Sequence, residues 1–356
     1  MNVAIIIPEL GGGGAERAAQ TLGNCLVKRG HNVCFFLFDS ISPVIFKPKC
    51  EILYINISEY RRLLWGTDES EFRSALRKAA KIVSSVKKKK KIDISISFME
   101  ESNFLNVKSC IGEKVIISIR TTLSERDELF GFFYQKDYIK KIYNRAFCIV
   151  ACSEFVKKDL IDNYALNKKR VIVIPNVSMN HDTREMNEKW KYGKKAVLSV
   201  ARISKEKQHD HLIRAFKYVH DLCEESELLI LGDGPLKNYM QWYADKLGVG
   251  DSVHFLGFVE NVGYYMQNSR VFVMTSKTEG FPNSMVEAMS YGLPIVTTDS
   301  PGGCREIVSD DTNPVRALGN FADISCSMRS RPAPRIEISF PHCGQCGGIN
   351  TVLPHM

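Results

Sequence analysis

Two glutamates eight positions apart, Glu279 and Glu287, bracket a Gly-Phe-Pro-Asn turn in the segment EGFPNSMVE. Pro282 has a fixed φ and no N–H, which suits the first turn of a helix running through SMVEAMSYG and stopping at Gly292. Glu279 then sits in the loop before the helix and Glu287 inside it. Free amides at a helix start favour an anion, and the two carboxylates can grip hydroxyls close by. Phosphate beside a polyol is the chemistry of a sugar nucleotide. A capped helix with two solvated carboxylates has the same spacing, so the rest of the chain must decide. Arg202 and Lys207 supply cations. They flank a short loop between the strand-like KAVLSVA and a helix through HDHLIRAF, a planar fork and a point charge able to neutralise a diphosphate. His209 and His211 bracket Asp210 in the same stretch. Positions two apart do not share a helix face, so solvated or capping histidines are expected there rather than metal ligands.

Strand-like and helix-like segments alternate along the chain, the pattern of parallel sheets covered by helices. NVAIIIPE, NVCFFLF, IDISISF, KVIISIR and FCIVACS read as buried strands in the first half, and KAVLSVA, SELLILG, SVHFLG, RVFVMTS and PIVTTD in the second. The expected fold is α/β with two doubly wound domains: residues 1–177, a polar linker at 178–193, a second domain at 194–313 and a tail at 314–356. Ligands of such sheets bind beyond the strands' carboxyl ends, which places the site in a cleft between the domains. The glycines at 11–14, followed by Asp39 after the next strand, raise a dinucleotide-binding unit as a rival. Its fingerprint fails, because glycine would be required where Glu16 or Arg17 stands. A flexible loop whose backbone can approach a ligand closely survives that test, and so does a plain tight turn.

Composition fits a two-core enzyme: 356 residues, 44% hydrophobic and 25% charged, with a formal charge of +8. No apolar run is long enough for a transmembrane helix, and MNVAIIIPELGGGG reads as strand and turn rather than signal peptide, so a cytoplasmic location is expected. The eleven cysteines, among them Cys34 and Cys148 in apolar runs, then read as reduced thiols. Lysines 87–91 follow a helical face of Phe72, Leu76, Ala79, Val83 and Val86. A second stretch, LFGFFYQKDYIKKIYNRA, interleaves Phe130, Phe132, Phe133, Tyr134, Tyr138 and Tyr143 with Lys136, Lys140, Lys141 and Arg145. Such stretches either rest on an anionic leaflet or complement a helix end while the aromatics face the core. No RNA- or DNA-binding motif accompanies the charge, so nucleic acid is the weaker alternative and no such partner is expected.

Several segments together resemble the retaining glycosyltransferases of family 4, which have the GT-B fold. The resemblance runs through IPELGGGGAER, LSVARISKEKQHDHLIRAF, LILGDGP, VHFLGFVENV and EGFPNSMVEAMSYGLPIVTTDSPGGCREIV, in the family's order, to about residue 313. It implies two Rossmann-like domains facing across a cleft. It also implies transfer of a sugar from a nucleoside diphosphate donor, UDP before GDP, to a hydroxyl of a growing lipid-linked or cell-surface glycan. In the family's pattern Glu279 holds donor-sugar hydroxyls and Glu287 the ribose, while Arg202 and Lys207 stabilise the departing diphosphate. Gly13 and Gly14 lie against the diphosphate, the amides around Phe281 and Asn283 meet the phosphates, and the backbone at Gly257 and Phe258 borders the base. No D-x-D metal motif occurs, so no cofactor or metal is expected. Arg120 stands where many relatives have histidine, a candidate acceptor or sugar contact or a plain surface arginine. Gln208 replaces a frequent glycine. Beyond Asp311 the tail departs from the family and carries a lone C-x-x-C, Cys343 and Cys346 with His342 before it. That departure leaves a catalytically impaired nucleotide-binding or scaffold relative as the alternative reading.

Overall fold

In the computed structural model the described residues are 1–38, 40–45, 47–125, 131–176, 190–193 and 195–308, with the backbone of 316–318. Seven parallel strands form the first sheet: β1 (Asn2–Ile7), β2 (Asn32–Leu37), β3 (Glu51–Tyr54), β4 (Ile94–Phe98), β5 (Lys114–Ile119), β6 (Cys148–Ala151) and β7 (Val171–Val173). Their order is β3-β2-β1-β4-β5-β6-β7. Around them lie α1 (Gly14–Lys28), α2 (Ser58–Leu64), α3 (Glu69–Lys89), α4 (Glu100–Lys108), α5 (Lys136–Tyr143) and α6 (Glu154–Asp162). The second sheet has β8 (Lys195–Val200), β9 (Ser226–Leu231), β10 (Val253–Gly257), β11 (Val271–Met274), β12 (Ile295–Thr298) and β13 (Arg316–Leu318), ordered β10-β9-β8-β11-β12-β13 and again parallel. Its helices are α7 (His209–Leu222), α8 (Lys237–Lys246), α9 (Val262–Asn268), α10 (Asn283–Ser290) and α11 (Cys304–Ile307).

Both sheets read in the sequence as near-continuous apolar runs because helices cover both faces; Val3 to Ile7 of β1 are all buried. The strand order reverses between β1 and β4 and between β8 and β11, so each sheet opens a crevice at the carboxyl ends of its central strands. The edge strand β3, EILY, escaped the sequence reading because only its middle residues are partly covered. Within the tail, Arg316–Leu318 pairs with β12. The rest of the tail, its C-x-x-C, Asp39, Phe130 and most of the expected linker lie outside the described residues.

The basic stretches differ from a uniform cationic surface. Lys87 points inward from α3 with its side chain fully buried, and its Nζ meets Glu113 at 2.6 Å, Asn106 Oδ1 at 2.7 Å and the Asn106 carbonyl at 3.1 Å. Lys90 binds Glu51 at 2.7 Å. Of the aromatic stretch, Phe132, Phe133 and Tyr143 are buried, and Tyr138 packs edge-on against Phe72. The rings therefore fill the first core, leaving Lys136, Lys140, Lys141 and Arg145 on the outside. No described helix is long and apolar enough to cross a membrane.

Candidate active site

A cleft of about 960 Å³ lies between the sheets, walled by loops at the carboxyl ends of strands from both. From the first sheet come the glycine loop after β1, Met99 and Glu100 after β4, and Arg120 after β5. From the second come Arg202 and Lys207 after β8, Phe258 after β10, and the turn from Glu279 to Asn283. Glu287, one helical turn beyond Asn283, also reaches it.

The Glu279 turn is held by backbone. Glu279 N–H donates to the Pro301 carbonyl at 2.9 Å, and Gly303 N–H to the Gly280 carbonyl at 3.1 Å. A Cβ on Gly280 would come within 2.0 Å of the Arg120 carbonyl, so only glycine lets the two domains touch there. Gly302 has φ +128°, and a Cβ on it would strike the Glu279 carbonyl. Pro282 stands at the N-cap of α10 rather than in its first turn, and the helix begins at Asn283. Gly292, at φ +74°, follows its end as the sequence implied.

Both glutamates are engaged. Lys207 Nζ lies 2.5 Å from Glu279 Oε1, joining a phosphate candidate to a sugar candidate. Glu287 is buried and takes a bidentate fork from Arg17 of α1, with Nη1 at 3.0 Å and Nη2 at 3.2 Å. Arg202 is exposed and makes no ion pair among the described residues, leaving its charge available to an incoming anion. Arg120 is half-buried, 5.7 Å over the Phe98 ring and 3.4 Å from Ser118 Oγ, and likewise has no carboxylate partner among the described residues. Burial draws its guanidinium below the ordinary value, with Cys152 opposing. It is a cleft residue rather than a plain surface arginine. Glu16 lies against the Gly13 backbone, and burial pushes its carboxyl up.

Gly14 faces Asn283 across the cleft, a Cβ there coming 3.0 Å from Asn283 Nδ2, and Gly12 faces Phe258 at 3.3 Å. Gly257, at φ +69°, turns the chain at the Phe258 wall. His209 corrects an expectation: it is neither solvated nor capping but 1% exposed, with neither ring nitrogen hydrogen-bonded among the described residues. Burial lowers its pKa to about 4. The described residues contain no cluster of three or more metal-ligating side chains.

Several cross-domain contacts escaped the sequence reading. Besides Arg17–Glu287, Asn176 Nδ2 donates to Asn283 Oδ1 at 2.6 Å, and Glu306 accepts from the amides of Glu154 and Phe155 at 2.9 and 2.8 Å. The last adds a carboxylate from the other domain to the start of α6, whose N-cap Ser153 accepts from the Val156 amide. Met99, a non-glycine residue at φ 73° and ψ 152° leading into α4, was also missed; such a conformation costs about 1–3 kcal/mol and marks a loop fixed by its surroundings. Arg17 had one local signal, its place in the first turn of the helix after a glycine loop.

Two glycosyltransferase family models divide the chain between them. "Glycosyltransferase Family 4" matches residues 12–177 and "Glycosyl transferases group 1" matches residues 180–316. The chain belongs to the GT-B glycosyltransferases. A Campylobacter jejuni relative, N-acetylgalactosamine-N,N'-diacetylbacillosaminyl-diphospho-undecaprenol 4-alpha-N-acetylgalactosaminyltransferase, is 29% identical over 87% of this chain and 84% of its own length. The Erwinia amylovora amylovoran biosynthesis glycosyltransferase AmsD is 26% identical over 84% and 81%. Among solved structures, Anabaena HepE in complex with UDP superposes with a TM-score of 0.70 at 18% identity, covering 92% of this chain and 89% of that one. The lipopolysaccharide outer core galactosyltransferase WaaB in its apo form gives 0.63 at 20%, covering 92% and 89%. These likenesses establish two Rossmann-like domains in the GT-B arrangement and an enzyme of the glycosyltransferase type.

Proposed function

We propose that this glycosyltransferase moves a sugar from a nucleoside diphosphate, with UDP favoured, to a hydroxyl of a growing lipid-linked or surface glycan. Transfer proceeds with retention and without a metal. The observation that carries the reading is the convergence of Glu279, Glu287, Arg202 and Lys207 on one cleft from loops far apart in sequence. Glu287 takes the ribose hydroxyls and Glu279 those of the donor sugar, while the amides around Phe281 and Asn283, with Gly13 and Gly14 opposite, meet the phosphates. Gly257 and Phe258 border the base, and Arg120 faces the sugar or acceptor. The bond from the anomeric carbon to the diphosphate breaks as the acceptor oxygen bonds on the same face, and the acceptor's proton passes to a phosphate oxygen. Arg202 and Lys207 stabilise the charge on the departing group, the term expected to contribute most. In this reading the enzyme works in the cytoplasm at the inner face of the plasma membrane, where Lys136, Lys140 and Lys141 meet anionic lipid.

Calorimetric titration with UDP, GDP and NAD, in the presence of EDTA, tests the donor site. Saturable binding of UDP or GDP but not NAD, weakened at least tenfold in Glu287→Ala, is the expected result. Binding that required added divalent metal, or that ignored the substitution, would overturn the assignment.

A further inference from the structure

The Arg17–Glu287 pair sets a conflict at the centre of the proposed donor site. Both Glu287 oxygens accept from the two terminal nitrogens of one guanidinium. A ribose diol offers the same carboxylate edge two hydroxyl donors at comparable spacing, so fork and diol compete for one set of lone pairs. Nucleoside binding must therefore release Arg17. Where the released cation goes is set by its backbone. Arg17 lies in the first turn of α1, its N–H bonded to the Gly13 carbonyl at 3.1 Å, and α1 starts at Gly14 on the cleft wall. The amides of that first turn favour an anion, yet Glu16 in the same turn already holds a carboxylate against the Gly13 backbone and hydrogen-bonds its own amide. A diphosphate arriving at that turn meets this negative charge unless a cation accompanies it.

We propose that Arg17 is a further donor-site residue that exchanges partners: it holds Glu287 in the empty cleft, yields it to the ribose, and then pairs with the donor's diphosphate. The residue thereby makes the enzyme discriminate nucleoside diphosphates from nucleosides, and the amino-terminal domain supplies a cation alongside Arg202 and Lys207. The inference rests on the donor reading above, in which Glu287 holds the ribose.

The test compares uridine and UDP binding by calorimetry in wild type, Arg17→Met and Arg17→Lys, or guanosine and GDP if that is the pair that binds. In Arg17→Met the nucleoside should bind as tightly as in wild type or several-fold more tightly, because its competitor is gone. The diphosphate should lose affinity, so that the UDP-to-uridine affinity ratio falls about tenfold or more. Arg17→Lys keeps a charge without the fork, and should retain most of the ratio. A residue that merely clasps the domains would weaken both ligands by the same factor; an unchanged ratio in a folded Arg17→Met, or a ratio that falls as far in Arg17→Lys as in Arg17→Met, overturns the proposal. If wild type binds neither nucleoside diphosphate, the donor reading itself falls, a result distinct from an unmoved ratio in a protein that binds.

Discussion

The Lys87–Glu113 and Arg17–Glu287 pairs are the same contact in two settings. Lys87 and Glu113 are sealed inside the first domain with side chains wholly buried. Their remaining hydrogen-bonding capacity is filled by Asn106, by Ser95 and by the Ile111 amide, which reaches Glu113 Oε2 at 2.7 Å. Arg17 is 31% exposed at a cleft wall, and its partner belongs to the other domain. A closed shell serves to fix a fold. An open one leaves each partner able to accept a replacement, and Lys207–Glu279 in the same cleft has that character too. The separation of structure from function here lies in completeness of the shell rather than in residue type.

Breaking the closed pair should have the largest effect. Lys87→Met leaves a buried carboxylate unpaired and should destabilise the first domain by about 3–5 kcal/mol, read in its denaturant transition, with much of the loss recovered in Lys87→Met/Glu113→Leu. Comparable sensitivity at Arg17→Met would erase the distinction. On the open side, Arg202→Ala should lower kcat about 10²–10³-fold while changing the denaturation midpoint little. Equal kcat in the variant would remove Arg202 from the leaving-group role.

His209 sharpens the contrast because it is buried with no polar partner among the described residues. Its folded pKa of about 4 lies below the ordinary value of 6.5. Above pH 6.5 both states are neutral and its contribution is fully present. As pH falls from 6.5 to about 4 the unfolded chain takes up a proton that the folded one refuses, so stability drops by about 2–3 kcal/mol across that window and levels off below it. His209→Phe should flatten that part of the profile of unfolding free energy against pH. Removal of the exposed carboxylate at the start of α6 is expected to do least: Glu306→Ala should cost about 1 kcal/mol and raise amide hydrogen exchange at Glu154 and Phe155. Exchange unchanged at those two amides would count against that cross-domain contact.

The sheets and half of the cleft were legible because their causes are local. Apolar runs announce buried parallel strands, and Glu279, Pro282 and Glu287 announce a loop entering a helix. Lys87 misled because it opens a run of five lysines, and only the fold brings Glu113 and Asn106 to its Nζ. The same limit hid Arg17, whose partner is 270 residues away. His209 has a polar side chain at a helix start, the usual place for a cap, and was buried by packing that spacing does not encode. Arg120 could be placed by resemblance, but its want of a carboxylate partner among the described residues is a three-dimensional fact.

The bare backbone of Gly280 laid on the carbonyl of Arg120 has a mechanical consequence. With no side chain at 280, that backbone contact has no rotamer of its own to set, and the side chain of the next residue, Phe281, packs against the first domain's core. The apolar anchor at Phe281 then acts as the pivot, and Arg17, Asn176 and Glu306 are polar fastenings around it that can be undone one at a time.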